Sequence, residues 1–155
     1  MKTEKATFGA GCFWHVEEAF SRVKGAVKTT AGYMGGTLKN PTYKDVCTGK
    51  TGHAEVVQIE YGPSVVSYKE LLDVFWKIHD PTSFNKQGAD IGTQYRSVIF
   101  YHNEEQKSLA LKSMREEQKK HDKKIATEIE KAAIFYNAEE YHQKYLQKNK
   151  IFKCE

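Results

Sequence analysis

The sequence predicts an α/β fold in the broad sense (α+β): an open-faced two-layer sandwich whose helices pack mainly on one face of a mixed central sheet. Strand-like and helix-like segments alternate only in part along the chain, in the order βαββαβαβα. The length of 155 residues suits one compact domain. With 39% hydrophobic and 28% charged residues, the composition is typical of a soluble globular protein and excludes a disordered chain.

The first predicted helix lies between two strands. Residues 5–9 have the pattern of a short strand that ends in a glycine-rich turn. Apolar residues then follow helical spacing from Phe13 to Val23, which predicts a helix over residues 12–22. Residues 27–33 are predicted to form the next strand, which a pair of glycines closes.

The middle of the chain supplies a strand and a helix, each preceded or followed by an irregular loop. Residues 37–51 are polar and contain an Asn-Pro pair, so we expect a loop there. Residues 54–61 are rich in β-branched side chains and form a clear strand. A capping box opens a helix over residues 67–79, and an Asp-Pro pair ends it before a second loop at residues 81–93.

The last third of the chain completes the domain. In order, we expect a strand (95–101), a long helix capped by Asn103 (to residue 120), a strand (125–130), a short helix (138–147) and a mobile coil tail (148–155). Together, the elements are expected to form a ferredoxin-like plait, with residues 1–155 as one domain that ends in the coil tail.

Charge and composition exclude several classes of protein. The net charge of +4 is spread evenly, and only three of the 24 basic residues are arginine, so nucleic-acid binding is not indicated. No run of about 18 apolar residues suits a membrane span. The N-terminus lacks the apolar core of a signal peptide, which predicts a cytoplasmic protein. Three cysteines without a CxxC pair favour neither a disulfide scaffold nor a zinc site.

Cys12 is the first candidate for chemistry. It follows a glycine-rich turn and lies at the predicted start of a helix, where free N–H groups and the helix dipole favour a thiolate. Phe13 and Trp14 come directly after it and are suited to wall an apolar pocket. The alternative is that Cys12 is an inert core residue and the two aromatic rings are core as well.

Glu55 is the second candidate. It alternates with apolar neighbours in the strand 54–61, and a buried carboxyl has a raised pKa that lets it act as an acid near neutral pH. The alternative is an exposed glutamate on an edge strand. Tyr33, Asp90 and Tyr95 lie at strand ends next to glycines and are weaker candidates for the same site.

Several motifs together resemble the type A peptide methionine sulfoxide reductases. They are GCFW, GYMGG, NPTYKDVCTGKTGHAEVV, FWKIHDPTSFNKQGADIGTQYRS and AEEYHQKYL, and they span the chain from residue 8 to about 146. The resemblance implies reduction of the S epimer of methionine sulfoxide, free or in oxidised proteins, without metal or organic cofactor. It further implies recharging by thioredoxin, and we expect a monomer.

The resemblance implies a role for each candidate residue. Cys12 would be the nucleophile that becomes a sulfenic acid, and Glu55 the acid that protonates the sulfoxide oxygen. Phe13 and Trp14 would hold the S-methyl group. The hydrogen-bonding groups around the oxygen would be Tyr33, Tyr95 and Asp90. His15 stands where the family usually has a small residue. It is either a surface histidine without a role or an imidazolium, one helical turn from Cys12, that favours the thiolate.

Recycling needs a second thiol. Cys47 is expected to be buried and structural, whereas Cys154 lies in the predicted tail among lysines, which favours a Cys12–Cys154 disulfide. A Cys12–Cys47 link is the alternative. Two other functions stay open from the residues alone: a thiol-based peroxide or disulfide oxidoreductase that uses Cys12, and a binding module with an inert Cys12.

Overall fold

A computed structural model describes residues 2–149 of the chain. The strands are β1 (Glu4–Ala10), β2 (Ala26–Met34), β3 (Ala54–Tyr61), β4 (Lys86–Gln87), β5 (Asp90–Ile91), β6 (Ser97–Tyr101), β7 (Glu128–Lys131) and β8 (Tyr136–Asn137). The helices are α1 (Phe13–Ser21), α2 (Tyr43–Cys47), α3 (Tyr68–Lys77), α4 (Glu104–Gln118) and α5 (Tyr145–Lys148). Two 3₁₀ turns cover Thr93–Tyr95 and Glu140–His142.

Six strands form one mixed sheet in the order β7-β6-β1-β3-β2-β8. Among the strands of residues 2–149, only β6 and β7 pair in parallel in this sheet; the other neighbours are antiparallel. Within it, the sequence β1-α1-β2-β3-α3-β6 with the strand order β6-β1-β3-β2 is the ferredoxin-like plait. The prediction of a mixed sheet with this topology is therefore confirmed.

The core lies mainly between the sheet and the helices α1 and α3. Alternation along β3 sends Val57 and Ile59 into this core, whereas Val56 belongs to a smaller cluster with Met34 and Phe100. That second cluster is covered by side chains from the segment between β7 and β8. Because side chains in a strand alternate between faces, Glu55 points to the same side as Val57, toward α1.

Local capping signals place two of the helices. Ser67 accepts a hydrogen bond from the backbone N–H of Glu70 and completes a capping box with it, as predicted for α3. Asn103 likewise accepts from the N–H of Gln106 and begins α4. A second capping box, from Thr42 to Asp45, begins α2 inside the segment that was expected to be a loop.

The structure corrects four expectations about secondary structure. The loop 37–51 contains α2, and the loop 81–93 contains a hairpin of β4 and β5. The helix expected over 138–147 is wrong: the chain there forms a 3₁₀ turn, then a left-handed Lys144 (φ 52°), then the single turn of α5. Lys148 belongs to α5 and not to a coil tail, and residues 150–155 lie outside the described residues.

Long-range hydrogen bonds hold the C-terminal segment (residues 138–149) against α1 and β2. The Gln143 side chain accepts from the N–H of Ala31 and donates to its carbonyl, both over 2.8 Å, so it pairs with β2 as a strand would. The buried Glu17 of α1 accepts from the N–H of Lys144 over 2.6 Å. These bonds explain why local helical periodicity does not decide the conformation of this segment.

Within residues 2–149, the helices are all too short or too polar to cross a membrane.

Candidate active site

Cys12 lies at the start of α1, at the end of the turn that leads out of β1. Gly11 has φ +94°, a left-handed backbone that glycine adopts without strain, and it turns the chain from strand to helix. Burial of the sulfur and the charge of Glu55 raise the pKa of the Cys12 thiol to about 12, although the backbone N–H groups of Trp14 and His15 act to lower it. The free site therefore holds a neutral thiol, contrary to the expected thiolate.

The His15 side chain is not among the groups that shift the pKa of the Cys12 thiol. It is exposed, and only the backbone N–H of His15 is directed at the sulfur. The predicted support from its imidazolium is thus replaced by a main-chain contact that other residues at this position would supply as well.

Glu55 is almost completely buried beside Cys12. Its Oε1 accepts a hydrogen bond from the backbone N–H of Phe13 over 3.2 Å. Its Oε2 is buried and has no partner among residues 2–149. Burial raises the pKa of Glu55 to about 8, the Phe13 bond acts in the opposite direction, and the charge of Asp90 adds to the increase. At neutral pH the carboxyl is mainly protonated, and since Oε1 accepts a bond, the proton belongs on Oε2.

Phe13 and Trp14 lie in a cluster of aromatic rings beside the thiol. Phe13 is fully buried, with its ring centre 5.7 Å from that of Tyr33. Trp14 is half-buried and stacks on Tyr145 at 3.8 Å, with the rings only 9° apart. The indole N–H of Trp14 donates to Nδ1 of His142 over 2.9 Å.

Tyr33 is tied to a carboxylate that the sequence analysis did not single out. Its hydroxyl donates to Oε1 of Glu139 over 2.9 Å, and Oε2 of Glu139 accepts from the backbone N–H of Tyr43 over 2.9 Å. Burial works to raise the pKa of Glu139, but these bonds hold it below its usual value, so the group is ionised. The structure thus places Tyr33 at the site, with its hydroxyl hydrogen already engaged.

Tyr95 and Asp90 reach the site from the loop before β6. Asp90 lies in β5 and pairs with Gln87 in the β4–β5 hairpin. This hairpin, in a segment that was expected to be a loop, therefore positions Asp90. The pKa of Tyr95 is raised by burial and by the nearby charges of Glu55, Cys47, Asp90 and Cys12. Among the described residues, no hydrogen bond engages the Tyr95 hydroxyl.

Cys47 is exposed at the rim of the site, at the end of α2, so the prediction of a buried structural cysteine is wrong. Partial burial raises the pKa of its thiol, whereas a hydrogen bond from Tyr43 acts to lower it. Its neighbour Val46 is the buried residue of this turn. Cys154 lies outside the described residues.

The residues that sequence reasoning missed come from two short segments: Tyr43 in α2, and Glu139, His142 and Tyr145 at the C-terminus. The Thr-x-x-Asp pattern of a capping box is the sequence signal that predicts α2 and thus Tyr43. The closely spaced tyrosines and histidine of the motif AEEYHQKYL are the signal for the residues of the C-terminal segment. His53 makes structural hydrogen bonds near the site. It accepts from the N–H of Gly36 at Nδ1 and contacts the carbonyl of Leu38 through Nε2, which fixes the turn after β2.

The arrangement combines a neutral thiol, a neutral carboxyl and an apolar aromatic wall at one end of the sheet. A carboxylic acid with its proton on an unpartnered oxygen is a donor for an oxygen atom bound next to the thiol. In residues 2–149 there is no group of three or more His, Cys, Asp or Glu side chains that could hold a metal ion.

Comparisons with known proteins agree with this chemistry. The family model "Peptide methionine sulfoxide reductase" matches residues 4–155. The chain is 62% identical over 153 residues to a peptide methionine sulfoxide reductase MsrA of Methanothermobacter thermautotrophicus, covering 97% of this chain and 90% of the relative. A second such protein, from Geobacter sulfurreducens, is 60% identical over 147 residues, covering 94% of this chain and 91% of the relative.

Solved structures of methionine sulfoxide reductases are similar to this chain as well. Mxr1 of Saccharomyces cerevisiae in reduced form superimposes with a TM-score of 0.94 at 42% identity, covering 99% of this chain and 89% of Mxr1. The structure of Mxr1 in complex with Trx2 gives a TM-score of 0.68 at 33% identity, covering 93% of this chain and 85% of the other. The fold, the motifs and these relatives together show that the chain belongs to the peptide methionine sulfoxide reductase family, type A.

Proposed function

We propose that this chain reduces the S epimer of methionine sulfoxide, free or within oxidised proteins, to methionine. The observation that carries the proposal is the neutral Glu55 carboxyl, whose unpartnered Oε2 lies in the same site as the Cys12 thiol. A sulfoxide sulfur is a poor electrophile until its oxygen is protonated, and Glu55 supplies that proton. Because a protonated Glu55 carries no charge, it does not repel the electron-rich sulfur of the attacking Cys12.

The chemical step transfers one oxygen atom from the sulfoxide sulfur to the Cys12 sulfur. Cys12 attacks the sulfoxide sulfur while Glu55 protonates the oxygen. The carboxylate that results takes up the proton which the Cys12 thiol gives off, so Glu55 ends the step neutral. The attack gives a tetracoordinate sulfur that is bonded to both Cys12 and the hydroxyl group. The hydroxyl then passes to the Cys12 sulfur while its bond to the substrate sulfur and the new S–S bond break, so the sulfoxide is reduced to methionine and Cys12 is oxidised to a sulfenic acid.

Binding uses the aromatic wall and the remaining polar groups. Phe13 and Trp14 hold the methyl group, which orients the sulfoxide oxygen toward Glu55. Tyr95 has a hydroxyl free to donate to that oxygen, whereas Tyr33 would first have to leave Glu139. Asp90 acts through its charge, which favours the protonated form of Glu55.

The enzyme is recycled in two further steps. Cys154 condenses with the Cys12 sulfenic acid, which forms a disulfide and releases water. Thioredoxin then reduces that disulfide at the expense of its own dithiol; the complex of Mxr1 with Trx2 supports such a partner. The proposed setting is the cytoplasm, where thiols are kept reduced. The proposed working unit is a monomer, since one chain supplies every group named.

The competing function, a thiol-based reductase of peroxides or disulfides, needs a thiolate before its substrate arrives. The raised pKa of Cys12 speaks against it. Turnover of the S and R epimers of a methionine sulfoxide and of hydrogen peroxide, each with thioredoxin as reductant, tests the proposal. We expect turnover of the S epimer alone. Comparable rates with hydrogen peroxide, or no turnover of the S epimer, would refute it.

A further inference from the structure

His142 is a buried histidine for which the proposed reaction has no use. Its side chain is 1% exposed and lies among the rings of Phe13, Tyr43 and Tyr141, with the Tyr43 ring centre only 4.3 Å away. It belongs to the C-terminal segment, yet its one side-chain hydrogen bond among the described residues reaches α1: Nδ1 accepts from the indole N–H of Trp14 over 2.9 Å.

The bond fixes the protonation of both partners. An indole N–H only donates, so Nδ1 of His142 must be the acceptor and carries no proton. Burial lowers the pKa of His142, which keeps the ring neutral, and its proton therefore lies on Nε2. Nε2 is buried with no partner in the described part of the chain. Among the described residues, the bond to Trp14 is therefore the one hydrogen bond that holds the His142 ring.

Two contacts hold the indole, and they constrain different motions. The stacking of Tyr145 against Trp14, at 3.8 Å and 9°, fixes the plane of the ring but allows it to slide or turn within that plane. The hydrogen bond to His142 joins one edge of the indole to a fixed point and stops that motion. With the bond removed, a half-buried Trp14 can shift along the face of Tyr145.

We propose that His142 is the positioning residue that holds the Trp14 indole in place and so sets the width of the pocket for the alkyl group on the sulfoxide sulfur. His142 thereby determines the preference for a methyl over a larger alkyl group. The proposal rests on the role that we propose for Trp14 in binding the S-methyl group. His142 touches neither the sulfoxide nor the Cys12 sulfur in it, and acts only through Trp14.

The test compares kcat/KM for the S epimers of a methyl sulfoxide and of its ethyl analogue. One additional methylene in a rigid apolar pocket changes kcat/KM by about 10- to 200-fold, so the wild type should prefer methyl by at least about tenfold. His142→Phe keeps a buried ring but removes the acceptor. It should raise KM for the methyl substrate more than it lowers kcat, and reduce the methyl preference several-fold.

Two further variants separate positioning from packing. His142→Asn places an amide oxygen near the position of Nδ1 and should restore much of the preference, although it loses most of the ring. Ser113→Ala is the matched control: Ser113 accepts the indole N–H of Trp76 over 2.7 Å between α3 and α4, away from the site. It should leave the methyl preference unchanged.

A spectroscopic readout follows the hydrogen bond itself. The chain has two tryptophans, so its ¹⁵N–¹H NMR spectrum contains two indole N–H signals. His142→Phe should shift the Trp14 signal and leave the Trp76 signal in place, and Ser113→Ala should do the reverse. The same spectra show whether each variant is folded.

A folded His142→Phe that keeps the wild-type methyl preference would overturn the proposal. The variant Trp14→Ala then shows whether the proposed binding mode or only the positioning role of His142 is wrong. If Trp14→Ala also keeps the preference, Trp14 does not form the methyl pocket and the proposed binding mode is wrong. If it abolishes the preference while His142→Phe does not, the binding mode stands and only the positioning role of His142 is refuted.

Discussion

The backbone N–H of Phe13 donates a hydrogen bond to Oε1 of Glu55, and this bond connects the residue after the nucleophile to the acid. It occupies one carboxyl oxygen and leaves the other, Oε2, without a partner in the described part of the chain. Because Phe13 begins α1 and Glu55 lies in β3, the bond also fixes the start of the helix to the sheet. The main chain at Phe13 therefore fixes the position of the Glu55 carboxyl relative to Cys12.

Replacing Glu55 by glutamine should slow the chemical step by at least about a hundredfold, the lower end of what general acids contribute. The amide keeps the shape and can still accept from Phe13, but it has no proton to transfer. Binding of the sulfoxide should be nearly unchanged. In the wild type, the single-turnover rate constant should fall as pH rises through about 8, where Glu55 ionises. Rapid-quench measurement of methionine release from pH 6 to 9.5 checks the rate of the variant and the pH dependence of the wild type. An equal rate in the glutamine variant would exclude Glu55 as the acid.

The same substitution should stabilise the fold in alkaline solution. The pKa of Glu55 rises from an ordinary value of 4.5 to about 8 on folding, so between these values the folded chain binds more protons than the unfolded chain. The wild type therefore loses stability as pH rises through this window, by up to about 1.4 kcal/mol per pH unit. Glu55→Gln removes that loss. Urea unfolding should give equal free energies near pH 4 and a more stable variant at pH 8; parallel curves would contradict the burial of an ionisable Glu55.

The two tyrosines should contribute unequally to catalysis. Tyr33 donates its hydroxyl hydrogen to Glu139, whereas Tyr95 makes no such bond in the described chain. Tyr95→Phe should therefore lower the single-turnover rate constant by about tenfold or more, the order expected when a hydrogen bond to developing charge is lost. Tyr33→Phe should lower it less. A larger loss in Tyr33→Phe would mean that Tyr33 leaves Glu139 when the sulfoxide binds.

Removal of Cys154 should stop recycling without stopping chemistry. Cys154→Ser should release one equivalent of methionine from a methionine S-sulfoxide and then fail to turn over with thioredoxin. Dithiothreitol, which can reduce a sulfenic acid directly, should restore turnover. Cys47→Ser is the control and should turn over with thioredoxin like the wild type. If Cys47→Ser fails instead, the exposed Cys47 at the rim of the site is the resolving cysteine.

Local signals explain why much of the fold could be predicted. The strand 54–61 and the caps at Ser67 and Asn103 depend on neighbouring residues alone, and the structure places them as expected. Cys12 and Glu55 were found for a similar reason, since a glycine turn and an alternating strand put each at a defined end of an element.

Long-range contacts explain what could not be predicted. The pKa of Cys12 depends on burial and on Glu55, which outweigh the helix start that the sequence shows. The C-terminal segment has helical spacing, but the bond from Lys144 to the buried Glu17 holds it in another conformation. Cys47 has a buried neighbour, yet the short helix α2 turns its own side chain outward. The first two outcomes are decided by residues far away in sequence, whereas the third follows from the local turn of α2.

A count of free thiols after one addition of a methionine S-sulfoxide, without reductant, tests the central claim most directly. The chain has three cysteines. We expect the wild type to fall from three thiols to one, with one equivalent of methionine released, and peptide mapping to find Cys12 joined to Cys154. Cys12→Ser should keep both of its thiols and release no methionine. Methionine release by Cys12→Ser, or three thiols remaining in the wild type, would contradict the assignment of Cys12 as the nucleophile.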